Sequence, residues 1–302
     1  MSKNYFIGFS AIKQHAMLKN SPIHTRRNWI SSGHRPIIYL PFKDLWTYRF
    51  LLVQLVRKDF HLFYRQTLLG PLWFFLQPAL STLVFTFAFA RVAEISTDRL
   101  PAPLFYLAGL TIWNYFSECF SKTCTILRDH AQTFSKIYFP RLIVPLSIVI
   151  SNLIRFGIQS LLFLLVYAFY LFLGVPVKPT WAIMLLPFLI LLMAFMGLGL
   201  GLIISSLTVK YRDLAFLVAF GLQLLLFVTP VIYPLSAVPE TLKYIVLANP
   251  VTAIVETFRY AFFGTGDLNP YALGYSSTVI TTVLFCGLIL FNKVEKNFID
   301  LI

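Results

Sequence analysis

The sequence predicts an all-α, polytopic membrane protein. Six transmembrane helices follow an N-terminal amphipathic interfacial helix, with re-entrant helices between spans five and six. Three observations carry this. Of 302 residues, 58% are hydrophobic and only 12% are charged, with a mean hydropathy of +0.76; a soluble domain is about a quarter charged. Apolar stretches long enough to cross a bilayer recur at residues 70–91, 104–121, 142–173, 181–206, 214–233 and 272–291. Basic residues, finally, fall unevenly between the loops those stretches define.

The net charge is +13, which raises nucleic acid as a partner until its distribution is read. Residues 1–69 hold eleven of the 25 Lys and Arg. With the N-terminus inside, the inner segments carry 19 and the outer segments five. That asymmetry places both termini in the cytoplasm and the basic face against anionic headgroups. No separate soluble domain is left to grip DNA or RNA. Residues 1–43 read as a cytoplasmic tail: the "TRRNWI" stretch has a twin-arginine look, but no cleavage site follows it. Residues 44–302 form one membrane domain, without internal repeats.

The segment before span one, "LVQLVRKDFHLFYRQTLLGPLW", is amphipathic at helical spacing. Leu52, Leu55, Val56, Phe60 and Phe63 fall on one side; Gln54, Arg57, Lys58, His61 and Arg65 fall on the other. This is an interfacial helix, which Gly70-Pro71 ends. Asp59 breaks the pattern by lying in the apolar arc, where a carboxylate requires a partner. Local pairing at the headgroups and a tie to Lys210 or Arg212 are both open. Arg155, the clearest charge inside a span, is expected to snorkel to the inner interface.

The inner loop 122–141 mixes charge with aromatic residues and ends in "FSKIYFPRLIVP". Docking on a soluble partner and an interfacial aromatic belt explain it equally. The three cysteines suit packing better than disulfides or metal. No phosphate-binding GK[ST] loop and no HExxH helix occurs. The twelve acidic residues lie mostly in loops or at span ends, which supplies neither a proton relay nor the acid/base set of a glycan transferase.

Between spans five and six the stretch "TPVIYPLSAVPETLKYIVLANP" carries four prolines yet stays oily. Pro230 and Pro234 break the end of span five. Pro239 and Glu240 suit the first turn of a short helix, and Asn249-Pro250 ends it. A second piece follows, with Glu256 and Arg259 spaced to pair. Both read as half-buried helices that dip into the outer side and return, with Tyr233 in the segment that leads into them.

Four segments, "RKDFHLFYRQTLLGPLWFFLQP", "SKIYFPRLIVP", "VKYRDL" and "PVIYPLSAVPETLKYIVLANPVTAIVETFR", together resemble the ABC-2 type polysaccharide export permeases, the Wzm-like group that exports O-antigen, capsule or teichoic acid. The resemblance covers residues 45 to 291, and the long tail departs from it. It implies the transmembrane subunit of an exporter in the bacterial inner membrane, paired as a homodimer with two separate ATPase subunits. ATP and Mg would then bind the partner, with no cofactor, metal or catalytic residue on this chain. The substrate implied is a polyprenyl-diphosphate-linked glycan of the O-antigen (lipopolysaccharide) type. Teichoic acid, capsule or small lipids, and a membrane glycan transferase, are the alternatives.

The resemblance also implies roles. Arg57, Lys58, Asp59, His61 and Arg65 belong to a cytoplasmic gate that meets the lipid diphosphate. Arg128, Asp129, Phe134, Lys136 and Tyr138 couple to the ATPase. Phe75, Phe85, Tyr106, Trp113 and Tyr115 are candidates for rings on which sugars slide, with plain packing equally open for each. Pro230, Tyr233, Pro234, Pro239, Glu240, Asn249, Pro250, Glu256 and Arg259 belong to a periplasmic gate.

Overall fold

The computed structural model describes residues 46–65, 70–129, 139–208, 211, 213–266 and 268–297, all within one compact unit. Every regular element among them is helical. Helix α1 is Arg49–Arg65, α2 is Trp73–Phe85 extended by a π-helical turn Thr86–Val92, and α3 is Ala102–Cys124. A short turn α4, Ile126–Asp129, leads on to α5, Ile143–Phe172. Then come α6 (Leu186–Thr208), α7 (Leu214–Val228), α8 (Glu240–Ala248), α9 (Pro250–Phe263) and α10 (Pro270–Asn297).

Among the described residues, four helical stretches are long and apolar enough to cross a membrane: Trp73–Val92, Ile143–Phe172, Trp181–Thr208 and Pro270–Val294. The other two expected spans differ from them in opposite ways. Helix α7 is apolar but has only 15 residues, because Pro230 follows its last turn. Helix α3 has 23 residues, but Asn114, Ser117, Glu118 and Lys122 lower its hydropathy.

The reason α3 tolerates those residues is its position. It packs against α2, α5, α6, α7 and α9, and most of its side chains are buried. A helix enclosed by other helices needs no lipid-facing surface. Leu104, Phe105, Tyr106, Ile112 and Phe116 form the centre of the main core with Phe163, Leu189, Met193, Val251, Ile254 and Phe258.

Glycines set how closely the helices approach α6. A Cβ at Gly197 would sit 2.7 Å from Cys119 Cβ, and one at Gly201 would sit 2.5 Å from Thr123 Cβ, so this i,i+4 pair admits α3. Gly199, on another face, admits the backbone of α10 at Leu284. Helix α6 is thereby held between α3 and α10.

The amphipathic reading of α1 holds where its side chains are described. Val56 is buried and Leu52, Leu55 and Phe60 are half-buried, while Gln54, Arg57, Lys58 and His61 are exposed. The buried side rests on α5 and on a second core cluster that includes Ile143, Leu198, Leu202 and Phe291. Helix α5, at 30 residues, is long enough to reach beyond the bilayer core (about 45 Å against about 30 Å).

Of the two pieces expected after α7 to be half-buried, α8 is largely exposed, with Val246 alone buried. Helix α9 is enclosed instead: Val251, Ile254, Val255, Phe258, Phe262 and the charged Glu256 and Arg259 are all buried. Most of its buried polar groups are matched by one another and by nearby backbone, with Arg259 Nε the exception, so the helix can be covered on most of its faces.

Candidate functional site

Polar residues concentrate at two places, one near each end of α3. The first lies under α1. Helix α3 presents Asn114, Glu118 and Lys122 at i, i+4 and i+8, and α5 presents Asn152, Arg155 and Gln159 at i, i+3 and i+7. These spacings align each set along one helix face. With Asp59 of α1, Phe74 and Gln77 of α2, and the rings of Tyr115 and Phe156, they line a cavity of about 440 Å³.

Arg155 organises the charges. Its Nη2 donates to Asp59 Oδ2 at 3.2 Å, and its Nη1 lies 3.2 Å from Asn152 Oδ1 and 3.6 Å from Glu118 Oε2. Lys122 Nζ pairs with Glu118 Oε2 at 3.0 Å and reaches Asn152 Oδ1 at 3.4 Å. The Asn152 amide donates to Cys119 Sγ at 3.8 Å, and the guanidinium lies 5.9 Å from the Phe74 ring centroid. Arg155 is 10% exposed, but Asp59 and Glu118 are 42% and 47% exposed. The network is therefore anchored on a buried cation and open to its surroundings through the acids.

Snorkelling is thus not what Arg155 does: it turns inward and ties α1 to α5. The partner of Asp59 is this arginine, 96 residues away in the sequence. Lys210 and Arg212 lie outside the described residues. Arg57, Lys58 and His61 point away from the cavity, exposed on the opposite side of α1, and the Arg65 side chain is likewise outside the described residues.

The second polar cluster is sealed. Arg259 and Glu256 are 3% and 5% exposed and pair at 3.4 Å. The Arg259 guanidinium also donates to the carbonyls of Pro230 and Val231, the latter at 2.7 Å, and lies 3.7 Å over the Phe105 ring. Proline breaks leave backbone carbonyls unmatched, and such groups persist at membrane depth only when protein satisfies them. Arg259 does so here. Pro230 and Pro234 are buried in this bend, and the Tyr233 hydroxyl shares its one proton between the carbonyls of Phe227 and Val228, at 3.0 and 3.1 Å, at the end of α7.

Asn249 joins the two sides of the bend. Its Oδ1 caps α9 by accepting from the Val251 amide at 3.0 Å, and its Nδ2 donates to Thr229 Oγ1 at 2.8 Å. Pro250 occupies the first turn of α9, as its fixed φ favours. Pro239 and Glu240 open α8 on the surface, where Glu240 pairs with Lys243 at 3.3 Å.

The remaining expected residues divide. Arg128 and Asp129 sit exposed on α4 and pair with each other at 3.0 Å. Phe134, Lys136 and Tyr138 lie outside the described residues. Tyr106 and Trp113 are buried at 0% and 4% exposure, which leaves neither ring a face for a passing sugar in this conformation. Tyr115 is buried against Phe156 at the cavity wall. Phe75 and Phe85 are half-buried on α2, with Phe85 packed edge-on to Tyr106.

Of the cavity lining, Asp59 and Tyr115 are among the expected site residues and Arg155 is marked as a charge within a span, whereas Gln77, Asn114, Glu118, Lys122, Asn152 and Gln159 were not read as a set. The signal that finds it is the polar residue recurring every three or four positions within two otherwise apolar helices.

An all-helical bundle with helices long and apolar enough to span a bilayer, a basic amphipathic helix at one end and a charged cavity beneath it defines the class: a polytopic helical membrane protein. Residues 51–263 match the ABC-2 type transporter family, and the chain belongs to that family. It is 32% identical over 223 residues to the O-antigen export system permease protein RfbA of Myxococcus xanthus, covering 73% of this chain and 83% of that protein. To RfbA of Klebsiella pneumoniae it is 28% identical over 254 residues, 83% of this chain and 95% of that one. The polysialic acid transport protein KpsM of Escherichia coli is 23% identical over 237 residues, 76% of this chain and 87% of that one.

Proposed function

We propose that this chain is the permease subunit of an ABC exporter that moves an O-antigen-type polysaccharide, linked to a polyprenyl diphosphate, out of the cytoplasm. Two copies would assemble with two separate ATPase subunits in the inner membrane. The observation that carries the substrate class is the match to O-antigen permeases over 73–83% of the chain. The lower identity to a polysialic acid transporter ranks capsule export second.

In this reading the chain has six spans, including α3 and α7, and both termini are cytoplasmic. The buried position of α3 supports its inclusion, since enclosure removes the need for high hydropathy. The side bearing α1 is then the cytoplasmic one. The exposed row Arg57, Lys58 and His61, continued by Arg65, meets the diphosphate, for which charge-assisted hydrogen bonds are well suited. Asp59 holds α1 over the cavity through Arg155, so the gate is a hinged helix with one central tie. The loop after α3 couples to the ATPase, beginning at Arg128 and Asp129 and continuing through Phe134, Lys136 and Tyr138.

At the other face, the bend around Pro230 and Pro234 with α8 and α9 closes the outer mouth. Arg259, Glu256 and Asn249 give that closure its fixed part, and exposed α8, with Pro239 and Glu240, its outer lip. Phe75 and Phe85 are the rings best placed to meet sugars, because Tyr106 and Trp113 are enclosed.

Expression with a companion ATPase tests this. The pair should co-purify as an assembly holding two of each subunit and should restore surface polysaccharide to cells lacking their own exporter, only while the ATPase hydrolyses ATP. Charge reversal at Arg128, together with Phe134→Ala, should release the ATPase. Polysaccharide export that persists without any ATPase would overturn the reading.

A further inference from the structure

The cavity under α1 has a composition of its own. Asp59 and Glu118 balance Lys122 and Arg155, so its charged lining sums to zero. An anionic group therefore gains no net attraction there, whereas the basic row on the far side of α1 offers it two exposed cations, Arg57 and Lys58, beside the His61 imidazole. Among the described residues, the carboxamides of Gln77, Asn114 and Gln159 make no hydrogen bond to the protein, although all three line the cavity. Each offers two N–H donors and one oxygen acceptor. Glu118, half exposed, adds a carboxylate acceptor, and Tyr115 and Phe156 add ring surface.

Paired donor–acceptor amides, a carboxylate and aromatic rings are the complement of a molecule with many hydroxyls on an apolar ring face. The volume of about 440 Å³ falls within the roughly 300–1,000 Å³ of small-ligand sites. We infer that the cavity binds an uncharged saccharide unit of the transported glycan, held by Gln77, Asn114, Gln159 and Glu118 between α2, α3 and α5. This rests on the proposed export function. It divides the substrate across α1: the diphosphate on the basic outer side, the sugar in the neutral cavity.

The test uses the full permease–ATPase assembly in cells that synthesise the glycan. The photo-crosslinking residue p-benzoyl-phenylalanine replaces Gln159 in one variant and the exposed Phe172, lower on the same helix, in another. Adducts are probed with antibody against the glycan and counted per assembled complex. The inference predicts glycan-bearing adducts from position 159 and none from 172. Adding Gln77→Ala and Asn114→Ala to the first variant should lower the yield about tenfold, the effect of losing two neutral hydrogen bonds. A second strain makes the polyprenyl phosphate but attaches no sugar; position 159 should give no adduct there.

Carrier-lipid adducts at 159 in that strain would assign the cavity to lipid and overturn the inference. So would an absence of adducts, or an unchanged yield in the double substitution, in cells that still export. Failure of ATP-dependent export by the unsubstituted chain would instead overturn the proposed function, which separates the two.

Discussion

The two ends of α3 handle buried charge in opposite ways. Near Phe105, Arg259 meets Glu256, two backbone carbonyls and an aromatic face, and both side chains are almost wholly enclosed. Near Glu118, the arginine is buried but its acids are nearly half exposed and share a cavity with unengaged amides. The first cluster is a closed set in which every partner is protein. The second has capacity left over. A sealed ion pair whose loss of one member strands a charge behaves as a fixed joint; one with exposed acids is weaker and can be exchanged. The same helix thus joins a rigid cluster at one end to an adaptable one at the other.

Arg259→Met should break this comparison most strongly. It removes the cation paired with Glu256 and leaves the Pro230 and Val231 carbonyls without their donor, at a cost of about 3–5 kcal/mol. The melting temperature of the purified complex should fall sharply. Adding Glu256→Met should recover part of the loss but not all, because the two carbonyls stay unmatched.

Gly109→Ala probes the same end more gently. Its Cβ would lie 2.9 Å from Arg259 Nη2 and 3.2 Å from Val231, so the guanidinium must shift from its carbonyls. A destabilisation of about 1–3 kcal/mol is expected, again read by melting. Gly157→Ala, where a Cβ meets nothing within 4 Å, should be close to neutral or slightly stabilising by the same measurement.

The smallest stability effect belongs to the open end. Asp59→Asn removes one half-exposed member of a network in which Arg155 keeps Glu118 and Asn152, so about 1 kcal/mol or less is expected. A melting shift as large as that of Arg259→Met would erase the distinction between the two ends.

Much of this was legible in the sequence. The amphipathic pattern of α1 gave its buried and exposed sides, and Asp59 marked itself as the residue that needs a cation. The identity of that cation was not legible: a pairing across 96 residues is set by how α1 lies on α5, which no local pattern encodes. Glu256 and Arg259 could be paired from their spacing, since a helix turn fixes i,i+3 neighbours. The burial of α9 could not, because it depends on Arg259 reaching the carbonyls of Val231 and Pro230, 28 and 29 residues earlier, in the bend that the prolines create. Reading α3 as an ordinary lipid span hid the meaning of Asn114, Glu118 and Lys122. Their regular spacing was the available sign that this helix is surrounded by protein and faces a polar cavity.

The central claim is that the end under α1 works while the end under α9 holds. Polysaccharide export per assembled complex in Asp59→Asn tests it most directly, with surface glycan divided by the amount of co-purified permease and ATPase. The account predicts normal assembly with export lowered up to about fivefold, the equivalent of the roughly 1 kcal/mol that a half-exposed ion pair positioning α1 contributes. Export per complex equal to that of the unsubstituted chain would contradict it.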